Sequence, residues 1–410
     1  MADSLEILTV GAQEAGIVIV GSGLAAVCAL EAMREAGYVG QVTMIGEERQ
    51  MPYDRPPLSK QVLKEPGAEA RIDLRDAAIF DTPATRLRRG RCVAEIDARQ
   101  RRVVLDDGAV VGYTKLLLAT GSRPRVLPGL PPAGAGVFYL RTLDDAVALR
   151  GALKSATSLA VVGGGVIGLE VAATAVALGV ETTVIEASPR LMSRAACPQL
   201  SEVLEEEHRS RGVRVLCGAT PSAFDFSGNR HTILWSDGRT LEVDMVLVGV
   251  GVTPEFDLAE RCGIKCAPEG IVVDGFGATS IPGVYAAGEV AFHYNGRVAC
   301  HQRQENWHHA AAHGRHVGAS MIEPGAVYQE ICGYWSDQYD LNIQVFGAVT
   351  GDEHVVRGDL SARRFAVFHL AAGVVVGITA VNSPSDLRRG KKLVREGSSL
   401  EPEIESIVRA

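Results

Sequence analysis

The stretch Ile17-Val-Ile-Val-Gly-Ser-Gly-Leu-Ala-Ala26 decides how the rest of the sequence is interpreted. Its run of β-branched residues predicts a strand that is buried on both faces, and the apolar-periodic run to Met33 predicts a helix. Between them, Gly21 permits a tight turn, Gly23 lets the backbone approach a pyrophosphate, and Ala26 keeps the helix close to the strand. Phosphates would lie at the helix N-terminus, where free N–H groups and the dipole favour an anion.

An acidic residue supports this interpretation of the first turn. Glu47 ends the second predicted strand, residues 41–45, at the distance where a ribose hydroxyl is held in dinucleotide sites. The alternative is a tight strand-to-helix turn that binds no ligand. The acid favours the nucleotide.

The same motif occurs a second time along the chain. The stretch Val161-Val-Gly-Gly-Gly-Val-Ile-Gly-Leu-Glu170 contains Gly163, Gly165 and Gly168 in all three glycine positions, and Glu186 ends the strand that follows. Two fingerprints, each with its acid, are much more specific than one. The sequence therefore predicts a protein that binds two dinucleotides.

Length and composition limit the other classes of protein. At 410 residues the chain is long enough for two or three domains, and its net charge of −8 argues against general affinity for nucleic acid. The first 16 residues lack a basic segment, so no secretory signal is expected. Residues 158–180 are apolar enough for a membrane span, but their glycines and Glu170 favour a buried strand and helix. The eight scattered cysteines predict reduced thiols in a cytoplasmic protein, without a disulfide framework or a zinc site.

A proline-rich loop follows the first nucleotide unit. Residues Met51–Lys60 hold three prolines within six positions, which predicts a stiffened loop without a regular element. Its charged residues Asp54, Arg55 and Lys60 suggest a functional loop, and the alternative is a solvated turn whose charges pair with each other. The segment from there to Asp97 is predicted to be helical.

Two segments repeat a pattern of hairpin, buried strand and glycine. The first, residues 102–124, turns at Asp107-Gly108 and ends its buried strand at Ala119-Thr120-Gly121. The second, residues 230–254, turns at Asp237-Gly238 and has Gly251 at the place that corresponds to Gly121. This repetition also favours a duplicated nucleotide-binding architecture.

The region after the second unit contains a possible ligand turn and many histidines. Residues 283–289 end a predicted strand with Gly288 and Glu289, which suits a sheet edge that meets a nucleotide. Residues 301–316 are predicted to be helical, and His309 and His313 share one helical face. Since no Glu or Cys completes a site there, the sequence predicts no metal.

From Tyr328 onward the pattern changes to alternating strands, predicted over 328–336, 341–346, 364–370 and 374–381. A basic helix near 387–395 follows. This pattern predicts a separate C-terminal α+β domain.

The sequence resembles the FAD-dependent ferredoxin reductases that serve Rieske-type ring-hydroxylating dioxygenases and some haem monooxygenases. The likeness covers residues 17–394, and its most specific markers are Pro52–Lys60, Ala119–Gly121, Val162–Glu170 and Tyr334–Gln338. It implies an α/β fold of glutathione-reductase type, with two Rossmann-like dinucleotide-binding domains and the C-terminal α+β domain. The implied domains are a split FAD domain (13–121 and 245–322), an NAD domain (122–244) and an interface domain (323–410).

The resemblance also implies roles for individual residues. The implied FAD contacts are Gly21, Gly23, Glu47, Arg55, Lys60, Gly121 and Glu289, and the implied NAD contacts are Gly163, Gly165, Gly168 and Glu186. Further candidate cofactor contacts are Leu24, Ala25, Ala26, Ala119, Thr120, Val166, Ile167, Arg194, Gly251 and Gly288. Lys60, Glu170 and Trp307 are the candidate catalytic residues: the lysine would place a positive charge near flavin N5, the glutamate would orient the nicotinamide, and the tryptophan would shield the stacked rings.

Two departures from related patterns matter for the chemistry. The family ends the Gly288 turn in Asp, whereas this chain has Glu289, whose longer arm shifts the carboxylate by a methylene. Disulfide-reducing relatives carry a cysteine pair, or one cysteine, just after the first nucleotide helix, and this sequence has none between Met33 and Phe80. A thiol route is therefore excluded.

The expected activity is transfer of electrons from NADH through non-covalent FAD to a small [2Fe–2S] ferredoxin that feeds a terminal oxygenase. The alternatives are a rubredoxin reductase, an NADH oxidase on the same fold, or a non-catalytic NADH-sensing flavoprotein similar to apoptosis-inducing factor. The protein is expected to be a monomer or homodimer that binds neither nucleic acid nor membrane.

An acidic ferredoxin requires a basic docking patch on this acidic protein. The sequence offers three clusters, each of which could also be a solvated face: residues 86–91, Arg303, and residues 388–392. The expected patch combines Arg303 with the Arg388–Lys392 cluster.

Overall fold

Residues 15–130, 133–226 and 230–400 are described in a computed structural model of the chain. They divide into two units. The first contains the residues up to Asp54, Asp73–Ser122 and Pro254–Glu330, and the second contains Arg55–Ile72, Arg123–Thr253 and the residues from Ile331 onward.

In chain order the strands of the described residues are β1 (Gly16–Val20), β2 (Val42–Gly46), β3 (Asp81–Thr82), β4 (Thr85–Arg89), β5 (Val93–Asp97), β6 (Arg102–Leu105), β7 (Val110–Leu118), β8 (Ser122–Pro124), β9 (Val137–Tyr139), β10 (Ser158–Val162), β11 (Glu181–Glu186), β12 (Arg214–Cys217), β13 (Ala223–Asp225), β14 (His231–Leu234), β15 (Thr240–Val243), β16 (Met245–Val248), β17 (Val252–Pro254), β18 (Cys266–Ala267), β19 (Gly270–Val273), β20 (Val284–Ala286), β21 (Ala291–Asn295), β22 (Cys300–Gln302), β23 (Gly333–Gln338), β24 (Leu341–Gly347), β25 (Glu353–Asp359), β26 (Arg364–Ala371) and β27 (Val374–Val381).

The α-helices are α1 (Leu24–Glu35), α2 (Gln61–Lys64), α3 (Leu143–Leu153), α4 (Val166–Ala177), α5 (Pro198–Ser210), α6 (Asp257–Arg261), α7 (Trp307–Ile322) and α8 (Pro384–Glu396). Short 3₁₀ helices cover Pro56–Ser59, Ala68–Arg71, Ala77–Phe80 and Gly288–Val290.

The first unit is built on an eight-stranded sheet. Its strands run in the order β3-β4-β2-β1-β7-β6-β5, and β20 also pairs with β7. Strand β1 lies parallel to both β2 and β7, and its residues 17–20 are buried, as is typical of a parallel sheet that is covered on both faces. Helix α7 packs closely on α1, because a Cβ added to Gly314 or Gly318 would lie 2.4 Å from a backbone oxygen of α1.

The second unit contains a parallel sheet of the same type. Its order is β12-β11-β10-β16-β9, with α4 following β10 as α1 follows β1. A three-stranded sheet (β13-β14-β15) and a five-stranded antiparallel sheet (β23-β24-β27-β26-β25) complete this unit, and α8 buries Leu387, Leu393 and Val394 in the core of the latter. The predicted α/β class and C-terminal α+β domain are confirmed.

Several sequence predictions hold in detail. Both fingerprints form strand, turn and helix; residues 158–180 form a buried strand and helix; and the hairpins turn at Asp107-Gly108 and Asp237-Gly238. Within the described part of the chain, no helix has both the length and the apolar composition needed to cross a lipid bilayer.

The prediction of helix up to Asp97 is wrong. Apart from the short α2 and single 3₁₀ turns, this segment forms β3, β4 and β5. Strand β4 pairs in parallel with β2, and β5 pairs with β6 while burying Val93 and Ile96. Strand pairing thus overrides the local propensity of an arginine-rich sequence.

Three further features differ from the prediction: a turn within a loop, the start of a helix and an additional strand. The proline-rich loop contains a 3₁₀ turn at Pro56–Ser59, since proline is compatible with a first helical turn. The histidine-rich helix begins only at Trp307, because the Asn306 side chain caps it by accepting from His309 N at 2.8 Å, and His301 lies in β22. In the C-terminal domain, β25 was not predicted.

Strand β16 bears on the predicted domain limits. It pairs in parallel with β10, so Met245–Val248 belongs to the sheet of the second fingerprint. The sequence placed the end of the NAD domain at residue 244, immediately before this strand.

Candidate functional site

The first glycine turn has the geometry that a bound pyrophosphate needs. Gly21 has φ +111°, and a Cβ there would lie 2.2 Å from Ala119 O, so only glycine fits. Gly23 is the N-cap of α1 without a side-chain cap, and a Cβ there would meet nothing within 4 Å. The first turn of α1, with Leu24 and Ala25, thus has no side-chain cap, and the open space beside Gly23 leaves room for an anion.

The second glycine turn repeats this geometry. Gly163 has φ +110°, and a Cβ there would lie only 2.4 Å from Gly249 O, while Gly165 is the uncapped N-cap of α4 with open space beside it. A Cβ on Gly168 would lie 2.2 Å from Gly163 O, so this glycine allows the helix to pack on the strand. Val166 and Ile167, two of the candidate cofactor contacts, lie in the first turn of α4.

Glu186 is oriented by the turn beside it. One carboxylate oxygen accepts from Gly164 N and the other from Ser188 N, each at 2.7 Å. The acid that ends β11 is thus held next to the glycine turn. Gly251 has φ +104°, and a Cβ there would lie 3.3 Å from the Arg194 guanidinium, so these two predicted contacts are neighbours.

In the first unit, three strand ends meet at one sheet edge. Strands β1, β7 and β20 are parallel neighbours, so their carboxyl ends lie side by side. Thr120 donates its hydroxyl to Glu255 O at 2.6 Å, and a Cβ on Gly288 would lie 2.8 Å from Ala25 Cβ. Ala119–Gly121, the Gly288 turn and α1 therefore surround one site, with Glu289 half-buried beside it and Glu47 exposed at the end of β2.

Trp307 begins helix α7, and its position is fixed by the proline-rich loop. Its indole Nε1–H donates to Asp54 Oδ1 at 2.7 Å. The indole plane is thereby held at the helix N-terminus, where the sequence predicted a shield for the nicotinamide.

The second unit contains a buried ion pair. Lys60 Nζ lies 2.8 Å from Glu170 Oε2, and their side chains are 16% and 2% exposed. The Ser59 hydroxyl donates to the same oxygen, and the Ser336 hydroxyl donates to Oε1 at 2.7 Å. Both serines stand in the motifs quoted above, but their contact with Glu170 was not predicted. Arg55 donates to Arg141 O.

The histidine cluster differs from the prediction. His309 and His313 do share a face of α7, and strand β21 adds His293, so that nitrogen atoms of all three lie within 4.8 Å of one another. The absence of a third ligand is therefore no longer an argument against a metal. The arrangement of the rings does argue against a metal. The His309 ring stacks on the His313 ring at an interplanar angle of 19° and on the His293 ring at 25°, so the three rings do not converge on one point.

The hydrogen bonds and the pKa values of the three histidines indicate that their imidazole rings are neutral. Gly288 N donates to His313 Nδ1 at 3.1 Å, which places the proton of neutral His313 on Nε2, the atom a metal would need. Within the described part of the chain, both nitrogens of His293 lack a hydrogen-bond partner. Burial lowers the pKa of His293 to about 4, and it lowers the pKa values of the other two imidazoles well below their usual range.

Arg303 is not available for docking. Its guanidinium donates to Glu289 O at 2.9 Å and Ser122 Oγ at 3.0 Å and pairs with Glu305, and its side chain is only 12% exposed. The expectation that it forms part of the patch is wrong, because tertiary contacts within the unit use its donors.

The other two clusters remain at the surface. In helix α8, Arg388 and Lys392 are exposed one turn apart, whereas Lys391 lies over the Phe346 ring. In the first unit, a cavity of about 500 Å³ is lined by Arg49, Leu87, Arg88, Arg89 and Arg91.

Comparison with known proteins agrees with this architecture. Residues 15–314 match the family described as pyridine nucleotide-disulphide oxidoreductase, and residues 334–405 match the family described as reductase C-terminal. The chain belongs to the pyridine nucleotide-disulphide oxidoreductase family. Within that family it is of the ferredoxin reductase type, as the resemblance predicted.

Individual relatives are similar over nearly their whole length. The ferredoxin--NAD(+) reductase component of the p-cumate 2,3-dioxygenase system from Pseudomonas putida is 38% identical over 94% of this chain and 95% of its own. The crystal structure of the ferredoxin reductase for the CYP199A2 system from Rhodopseudomonas palustris has a TM-score of 0.91 at 35% identity, covering 95% and 96%. The covalent putidaredoxin reductase–putidaredoxin complex gives 0.88 at 32% identity, covering 95% of each chain.

Proposed function

We propose that this protein oxidises NADH and passes the electrons, one at a time, through FAD to a small [2Fe–2S] ferredoxin that serves an oxygenase. The balanced reaction is NADH plus two oxidised ferredoxins to NAD⁺, one proton and two reduced ferredoxins. The observation that carries it is the pair of glycine turns with matching geometry, one in each unit. Its relatives, which are reductase components of dioxygenase systems and a putidaredoxin reductase, support the same reaction.

Each of the two glycine turns is assigned one cofactor. We assign FAD to the turn at Gly21 and NADH to the turn at Gly163, and the interface role to residues 323–410. The strand Met245–Val248 goes with the NADH-binding part, since it pairs with β10. Arg55 and Lys60 keep their assignment as FAD contacts.

Bound FAD supplies the conversion of a hydride into two single electrons, and the protein positions the groups around it. Glu170 is held by a lysine and two hydroxyls, so its carboxylate is fixed and can orient the nicotinamide amide. Lys60 carries the positive charge that favours an electron-rich flavin. Trp307, fixed by Asp54, excludes water from the reacting rings.

The first experiment establishes the cofactor and acceptor. The purified protein should be yellow and should release its flavin to the supernatant on acid precipitation, because the link is non-covalent. Colour that stays in the pellet would contradict this.

The acceptor is then tested by following NADH oxidation with a panel of [2Fe–2S] ferredoxins, rubredoxin, ferricyanide and oxygen. Rapid turnover with a ferredoxin is expected. Equal or faster turnover with rubredoxin or with oxygen alone would favour the reductase or oxidase alternative. A protein that stays NADH-reduced and turns over slowly with every carrier would be a sensor.

We further infer a cytoplasmic location, where NADH is available and the cysteines of the described chain, all free, stay reduced. Light scattering on the purified protein should give a monomer or homodimer.

A further inference from the structure

A chain of buried hydrogen bonds leads away from the Lys60–Glu170 pair. Glu170 Oε1 lies 2.7 Å from Ser336 Oγ, which lies 3.0 Å from Gln338 Nε2. Gln338 Oε1 is 2.9 Å from His208 Nε2, and His208 Nδ1 is 2.9 Å from the Tyr339 hydroxyl. This series of hydrogen bonds joins α4, β23 and α5, all within the second unit.

The carboxylate fixes the direction of every bond in this chain. The Glu170 carboxylate oxygen accepts from the Ser336 hydroxyl, and Ser336 in turn accepts from the Gln338 amide. The Gln338 carbonyl then faces His208, which must donate from Nε2. His208 Nδ1 is therefore an acceptor, and the Tyr339 hydroxyl donates to it.

Burial keeps each member in the required state. Ser336, Gln338 and His208 are fully buried. Burial lowers the pKa of His208, so the ring stays neutral and keeps a single tautomer, and burial raises the pKa of Tyr339, so its hydroxyl keeps its proton. Successive bonds that point the same way polarise one another in a low-dielectric interior.

The far end of the chain is tied to the surface. The Arg211 guanidinium lies over the Tyr339 ring, 4.9 Å from its centroid, and pairs with the exposed Asp340 at 2.7 Å. Tyr339 itself adopts φ +54°, a left-handed conformation that a tyrosine rarely takes. Tyr339 is thus held in place by Arg211, which is not a member of the series of hydrogen bonds.

We propose that Ser336, Gln338, His208 and Tyr339 are positioning residues for NADH oxidation, which hold the Glu170 carboxylate in one orientation. This inference rests on the proposed role of Glu170 beside the nicotinamide. None of the four needs to touch the substrate. Their effect on catalysis must pass through Glu170.

The test measures flavin reduction by NADH in stopped-flow experiments on the full, FAD-loaded protein. Ser336→Ala removes a hydrogen bond to a charged group and should slow reduction about 10- to 100-fold, while Tyr339→Phe removes a neutral bond and should slow it about threefold. The Kd for NADH should change less than about twofold in both, because the effect is on orientation.

A double-mutant cycle with Glu170→Gln separates this role from a structural one. In the Glu170→Gln background, Ser336→Ala and Tyr339→Phe should have no further effect on the rate. Thr379→Val is the matched control, since it removes a buried hydroxyl bonded to His369 Nε2 in the same sheet, and its rate should equal the wild type.

The outcomes distinguish the two claims. If Glu170→Gln reduces as fast as the wild type, the proposed role of Glu170 fails. If Glu170→Gln is slow but Ser336→Ala and Tyr339→Phe are not, or if they slow both backgrounds equally, the hydrogen-bond chain does not position Glu170.

Discussion

The buried histidine cluster predicts a loss of stability in mild acid that can be assigned to single side chains. Burial lowers the pKa of His293 from 6.5 to about 4. Above pH 6.5 the ring is neutral in both the folded and unfolded states, so it does not affect stability. As the pH falls towards 4, His293 becomes protonated in the unfolded chain but stays neutral in the folded protein, and the folded state therefore loses stability.

The size of this effect follows from the shift. Each pH unit between the two values costs about 1.36 kcal/mol per proton, so His293 alone should cost the folded state about 3 kcal/mol at pH 4.5. His309 and His313 are shifted in the same direction, and they add to the loss.

Replacing His293 by Phe removes the titrating group and keeps a ring in the stack. The substitution breaks no hydrogen bond that the described structure contains. Stability at pH 8 should therefore change little, while at pH 4.5 the variant should be more stable than the wild type by about 3 kcal/mol. Urea unfolding followed by circular dichroism at both pH values measures this difference.

The matched control is Met321→Leu, which exchanges one buried, non-titrating side chain for another on α7, the helix that carries His309 and His313. It should leave the pH dependence of stability as in the wild type. If His293→Phe loses stability between pH 8 and 4.5 as steeply as the wild type does, the reasoning is refuted.

The remaining predictions concern cofactors and docking. Gly21→Ala should prevent folding of the first unit, whereas Gly23→Ala, where a Cβ meets nothing, should fold but lose flavin; flavin content and circular dichroism distinguish the two. The wild type should prefer NADH over NADPH about 30- to 1000-fold in kcat/KM because Glu186 repels a 2′-phosphate, and Glu186→Arg should narrow or reverse that ratio. Charge reversal of Arg388 and Lys392 should raise the KM for ferredoxin and flatten its salt dependence without changing ferricyanide reduction; a parallel fall in both rates would instead indicate damage to the fold or the flavin site. Zn²⁺ added to the purified protein should leave its Tm unchanged, and a rise would indicate that the histidine cluster binds metal.

The sequence by itself determined the parts of this protein that depend on neighbouring residues. A glycine turn needs its glycines at fixed spacing, because φ values near +110° and a carbonyl 2.2 Å from the Cβ position exclude other side chains. The two strand-turn-helix units, their acids at Glu47 and Glu186, and the Asp-Gly hairpins were therefore all predictable. The buried strand and helix that contain Glu170 were also predicted, since the glycines and the lone acid of this apolar run argue against a membrane span.

The tertiary structure decided the features that join distant residues. Strand β4 exists because it pairs with β2, although its arginines suggested helix. His293 joins His309 and His313 because β21 lies beside α7, and Arg303 is withdrawn from the surface because its partners Glu289 and Ser122 come from other segments. Such pairings depend on which buried donors find acceptors in the folded chain, and no local pattern of residue types specifies that.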